Sequence, residues 1–176
     1  MEQQKSRMRI TEEYDQLTDD PDVNDLFGVS YWDSESENPD IYHWKVTLMP
    51  PQGTLYEGGF YKLEVLFNAN YPQSPPKVKF LTKIYHCNID SSSGEICLNT
   101  IDNWNQSFKI ADVLNHLIVL LINQNPNSPL DHKGEYNKNK DEFIKKAKEW
   151  VKKYANINDF ENEEKQGIMP GFDFDF

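Results

Sequence analysis

IYHWKVTLMPPQGTLYEGGFYKLEVLF, residues 41–67, is the stretch on which the fold turns. Its two ends, residues 41–48 and 60–67, are dense in aromatic and β-branched side chains, the composition that fits a pleated, half-buried surface. They predict two strands. Between them, Pro50-Pro51-Gln52-Gly53 and Glu57-Gly58-Gly59 supply residues that fix or free the backbone for turns. Separated by these turns, the two read as antiparallel strands.

Upstream, residues 34–40 (SESENPD) form a polar, acidic loop with no core to offer. The first twenty residues read as a helix, because Ile10, Tyr14 and Leu17 recur at four- and three-residue intervals on one face. Asp19-Asp20-Pro21 stops it. Downstream, residues 71–76 (YPQSPP) belong to neither strand nor helix interior, since three prolines remove donors and fix φ. A short strand is expected over residues 77–81, then an irregular stretch, residues 82–107, that holds both cysteines. Long irregular segments inside compact domains are usually functional. Ile110, Val113, Leu114, Leu117, Ile118 and Leu121 predict one apolar helical stripe, ended by Asn125-Pro126-Asn127-Ser128-Pro129. Phe143, Ala147, Trp150, Val151 and Tyr154 predict a second on a lysine-rich helix. Strands and helices thus come in segregated runs, which is the α+β pattern. Residues 5–156 are expected to form one core domain, and residues 157–176, acidic and ending FDFDF, a flexible extension that could dock its phenylalanines on a basic partner or back on the domain.

Charge and composition narrow the function classes. At 176 residues the chain suits one domain. Its net charge of −11 repels phosphate backbones, so nucleic acid is not the expected partner. A partner with a basic face is favoured. The longest apolar run, residues 113–122, is broken by Asn115 and His116 and is too short to span a bilayer. Two cysteines, Cys87 and Cys97, and no leader pattern point to a soluble protein of a reducing compartment, cytoplasm or nucleus. Two cysteines and scattered histidines lack paired metal-ligand spacing, so no metal is expected.

One set of motifs occurs in a single order: Trp44-Lys-Val-Thr-Leu, Tyr56-Glu-Gly-Gly, Tyr71-Pro-x-Ser-Pro-Pro, His86-Cys-Asn-Ile, Gly94-Glu-Ile-Cys-Leu98, Trp104 and Asn125-Pro-Asn-Ser-Pro-Leu130. The joint pattern resembles the ubiquitin-conjugating enzyme family. The resemblance implies a four-stranded antiparallel sheet flanked by helices, and it makes Cys97 the thiol that carries ubiquitin, or a ubiquitin-like protein, as a thioester. A thiolate is both nucleophile and leaving group, so it can take an acyl group and pass it on. The implied partners are ubiquitin, its activating enzyme, a ligase and protein substrates. No cofactor is implied, because ATP is used by the upstream activating enzyme.

The remaining site residues rest on the same resemblance. Asn88 matches the asparagine that steadies the oxyanion when an amine attacks the thioester; it could equally tie down its own loop. His86 is expected to anchor the turn, with Tyr85 beside it in support. Ser128 matches an Asp or Ser that gates the approach of the lysine, and Asn99 is a groove-lining candidate. A proline normally stands where this chain has Cys87, which loosens the turn and adds a second thiol whose pairing with Cys97 geometry decides. Lys5, Arg7 and Arg9 of the first helix fit contact with the activating enzyme, although Glu12 and Glu13 reverse the charge one turn later. Gln73 replaces an aromatic residue of the first ligase-binding loop, and Gln106 and Ser107 replace Pro-Ala in the second. Two other classes are weighed against the transferase. One is a non-catalytic scaffold of the same fold that binds ubiquitin or a partner enzyme; the other is a Cys–His hydrolase built from Cys97, His86 and Asn88, which needs a histidine bonded to the thiol.

Overall fold

The structure is a computed structural model that describes residues 2–19, 26–97, 102–125, 130 and 133–158. Helix α1 (Glu2–Asp19) leads into strands β1 (Phe27–Tyr31), β2 (His43–Leu48), β3 (Tyr61–Leu66) and β4 (Lys77–Phe80). Helices α2 (Ile110–Ile122), α3 (Lys133–Lys138) and α4 (Lys140–Tyr154) follow. The strands form one antiparallel sheet in sequence order, β1-β2-β3-β4. The α+β architecture expected from residues 41–67 is therefore the observed one.

Register puts the apolar residues on one face. Val29 lies opposite Val46, Val46 opposite Leu63, and Leu63 opposite Phe80. Trp44 and Val65 form the row on one side of this one, and Phe27, Leu48 and Tyr61 the row on the other, all buried. The alternate residues, His43, Lys45 and Glu64, face the other way, where the Glu64 carboxylate accepts from Lys79 at 2.8 Å and pairs with His43 at 2.9 Å. Such alternation pins register, because a one-residue slip would turn the whole apolar set outward.

On the apolar face, α2 buries Ile110, Val113, Leu114, Leu117, Ile118, Leu120 and Leu121, and α4 contributes Phe143 and Ala147. Helix α1 joins through Ile10 and Leu17, with Tyr14 stacked on Tyr31 at 4.1 Å and edge-on to Trp44 at 5.3 Å. Two elements had no clear sequence signal. Strand β1, FGVSY, is diluted by Gly28 and Ser30. Helix α3 is six mostly polar residues, KGEYNK, divided from α4 by Asn139, whose Oδ1 accepts from the Glu142 N–H at 3.2 Å as an N-cap. Where two closing helices were expected, the described residues therefore hold three.

Glu13 corrects the reading of α1. It lies between Ile10 and Leu17 on the inward stripe and is 2% exposed. Its carboxylate accepts from the Tyr71 hydroxyl at 2.8 Å and from the Ile110 N–H at the start of α2 at 2.7 Å, and pairs with Arg9. The Arg9 guanidinium also donates to the Phe108 carbonyl at 3.2 Å. Neither charge of this pair is simply presented to solvent. Trp104 Nε1 donates to the Pro72 carbonyl at 2.7 Å, so α1, the 71–76 loop and the 104–108 loop are stitched into one surface. Lys5, Arg7, Gln73, Gln106 and Ser107 stand exposed in these three segments.

Candidate active site

The irregular stretch after β4 is built by backbone contacts back to the sheet. Phe80 N–H donates to the Gly94 carbonyl at 2.9 Å, and Lys79 bridges Glu95. Gly94 is required here: its φ is +75°, and an added Cβ would lie 1.9 Å from the Phe80 carbonyl oxygen. Before it, one Asp90 carboxylate oxygen accepts from the Ser92 N–H, the Ser92 hydroxyl and the Ser93 N–H, which draws its carboxyl down to about 2. Ile89 bridges Ile96, and the Cys97 N–H donates to the Asn88 carbonyl at 2.9 Å. This last bond places the cysteine beside the 86–88 turn.

Cys97 is partly exposed and Cys87 fully buried; both are free thiols. The Cys97 sulfur lies 3.9 Å from Asp102 Oδ2. Partial burial first, and the Asp102 charge second, raise its pKa above the ordinary thiol value. Burial pushes the Cys87 thiol up to about 11. Its Sγ–H donates to Asn88 Oδ1 at 3.1 Å and its N–H, which a proline would lack, to Gln124 Oε1 at 3.4 Å. The residue in the proline's place thus holds the turn by bonds where a ring would hold it by stiffness.

Asn88 is 1% exposed. Its Nδ2 donates to the Asn125 carbonyl at 2.6 Å and its Oδ1 accepts from the Asn125 N–H at 2.9 Å, so the amide lies against that backbone as a strand neighbour would. This is the loop-tying arrangement. His86 is sealed below: Nδ1 accepts from the Asn88 N–H at 3.0 Å, and Nε2 donates to the Leu120 carbonyl at 3.1 Å. Burial takes its pKa down to about 4, so it is a neutral anchor whose two nitrogens are both committed to backbone. The Tyr85 ring packs on Phe143 at 5.0 Å and Trp150 at 5.3 Å, and its carbonyl accepts from the buried Tyr56 hydroxyl at 2.8 Å. Ser128 and Asn99 lie outside the described residues. No cluster of three or more histidine, cysteine or carboxylate side chains suited to a metal occurs among the described residues.

A cysteine set at the surface beside a buried His-Cys-Asn turn, under a four-stranded meander, is matched by known proteins. The sequence profile described as "Ubiquitin-conjugating enzyme" covers residues 9–151. The chain belongs to the ubiquitin-conjugating enzyme family.

It is therefore a transferase of the ubiquitin conjugation system. It is 39% identical over 117 residues to the Dictyostelium discoideum "Ubiquitin conjugating enzyme E2 B", an overlap of 65% of this chain and 79% of that one. A solved Plasmodium yoelii chain described as a ubiquitin-conjugating enzyme superposes with a TM-score of 0.78 at 31% identity, covering 86% of this chain and 96% of its own. A Toxoplasma gondii ubiquitin-conjugating enzyme E2 domain gives 0.75 at 29% identity, covering 85% and 98%. Among the described residues of this ubiquitin-conjugating enzyme, no helix is long and apolar enough to cross a membrane.

Asp102 was not singled out by sequence reasoning. It is one of many acidic residues, five positions after the cysteine, and no sequence pattern marks its carboxylate as the one beside the sulfur.

Proposed function

We propose that Cys97 takes the carboxyl end of ubiquitin from an activating enzyme as a thioester and hands it to a lysine amine of a substrate or to a ligase. The observation that carries this reading is the position of the thiol: partly exposed, backbone-bonded to Asn88, in the irregular segment between sheet and α2. A buried cysteine such as Cys87 would be inert packing. A Cys–His hydrolase is disfavoured, because both His86 nitrogens face backbone groups. ATP is consumed upstream, and the reaction belongs to a reducing compartment, cytoplasm or nucleus, where both thiols persist.

In this mechanism the Cys97 thiolate attacks the activated carboxyl carbon, the activating enzyme's thiol leaves, and the amine later attacks the same carbon. Asn88 holds the 86–88 turn against Asn125, and its amide is the candidate donor to the oxyanion of the second step. The stitched surface of α1 and the loops at 71–76 and 104–108, bearing Lys5, Arg7, Arg9, Gln73, Gln106 and Ser107, is the proposed meeting place for activating enzyme and ligase.

The test is incubation with ubiquitin-activating enzyme, ATP and ubiquitin, followed by a non-reducing gel. An adduct removed by thiol reductant, and replaced in Cys97→Ser by a reductant-stable oxyester, is the expected result. A wild-type chain that binds ubiquitin and never forms the adduct would instead be a scaffold.

A further inference from the structure

We infer that Asp102 is a catalytic residue of the discharge step, the carboxylate that receives the incoming lysine ammonium at the Cys97 thioester and takes its proton. The inference deepens the thioester reading and rests on it.

The chemistry sets the requirement. A lysine amine arrives protonated, since its ordinary pKa is near 10.4, and an ammonium has no lone pair with which to attack. A base must stand within about 3 Å of the ammonium, and the nitrogen must come within roughly 3–3.5 Å of the carbonyl carbon bonded to sulfur. Asp102 Oδ2 lies 3.9 Å from that sulfur, so a nitrogen poised over the thioester carbon is also within reach of the carboxylate.

The other described polar groups near the turn are committed elsewhere. His86 is bonded on both nitrogens to backbone and held neutral. The Asn88 amide lies along Asn125. Asp90 is engaged by Ser92 and Ser93. Asp102 is exposed, ready to meet a substrate, and its charge already acts on the sulfur, where it opposes thiolate formation. That effect hinders a free Cys97. Once the sulfur is acylated and uncharged, the same carboxylate attracts a cation to it.

The step balances as follows. One ammonium proton passes to the Asp102 carboxylate, and the freed nitrogen lone pair forms the bond to the thioester carbon. The tetrahedral intermediate collapses, the C–S bond breaks, and its electron pair leaves on Cys97 as thiolate. The proton on Asp102 passes to that thiolate, and the second ammonium proton goes to water.

The experiment follows single-turnover discharge of a purified ubiquitin thioester on the full chain, so that loading does not enter the rate. Two acceptors are compared: free lysine, which must lose a proton, and hydroxylamine, which is neutral at pH 7 and needs no such help. In Asp102→Asn the lysine rate is expected to fall about tenfold or more, less than an enclosed base contributes because the group is exposed. The hydroxylamine rate is expected to stay within about twofold. Asp102→Glu should recover part of the lysine rate. A fall in both rates alike would mark a general disturbance of the groove and overturn the assignment, as would an unchanged lysine rate in both variants. A wild-type chain that forms no thioester overturns the functional reading itself, which distinguishes the two failures.

Discussion

Asn88 ties the 86–88 turn to Asn125, and its substitution separates that hold from the oxyanion role proposed for the same amide. It is buried and bonded at both ends to Asn125, so Asn88→Ala leaves the Asn125 N–H and carbonyl without those partners. A stability loss of about 1–3 kcal/mol is expected in denaturant unfolding. If the amide also meets the oxyanion, discharge of a preformed thioester to lysine falls on the order of a hundredfold, since one such donor is worth about 10²–10³ in rate. Discharge unchanged while stability drops would leave Asn88 with the turn alone. His86 gives a prediction in pH. Its folded pKa of about 4 lies below the unfolded value, so as pH falls the unfolded chain binds the proton first. The stability that depends on neutral His86 is complete above about pH 6.5 and is lost progressively down to pH 4, a total of about 3 kcal/mol. Unfolding at pH 5 should therefore need less denaturant than at pH 7, by about 2 kcal/mol in free energy.

At the scale of elements, the central strands and the long closing helices were legible in the sequence because each has a period that burial enforces. Every residue of the predicted 110–121 stripe is buried in α2. Glu13 was misread although the signal was present: it sits three residues after Ile10 and four before Leu17, on the stripe that faces inward. Its charge suggested a surface position, and only the donors from Arg9, Tyr71 and Ile110 explain why burial is tolerated. Glu13→Ala is expected to cost about 3 kcal/mol, because it strips the partner from a partly buried guanidinium and from two further donors. Its second effect should be looser docking of the 71–76 and 104–108 loops, read as faster amide exchange at Phe108 and Ile110. Asp102 was illegible for a different reason. No periodic pattern in the sequence pairs position 97 with position 102, so nothing there announced the contact. Gly94 fixes the approach to Cys97 on its N-terminal side. Gly94→Ala would force a side chain onto the Phe80 carbonyl from a left-handed backbone, at a cost of roughly 2 to 4 kcal/mol by thermal or denaturant unfolding.

For the molecule as a whole, the net charge of −11 acts at long range, whereas the proposed docking surface carries Lys5 and Arg7. A partner with a basic face would be drawn in by the whole, while the cationic patch favours an acidic surface at the point of contact. Raising salt from about 0.05 to about 0.5 M should then slow the bimolecular loading rate severalfold, with little change in single-turnover discharge to lysine. Equal salt dependence of both steps would argue against steering by the net charge. The contrast between the two cysteines has a practical side. With the Cys87 sulfur enclosed and Cys97 at the surface, the native molecule offers thiol-directed reagents a single point of attachment. A fluorophore, a spin label or a solid support can be fixed there without engineering the second sulfur away, and it would report from the spot where cargo is expected to sit.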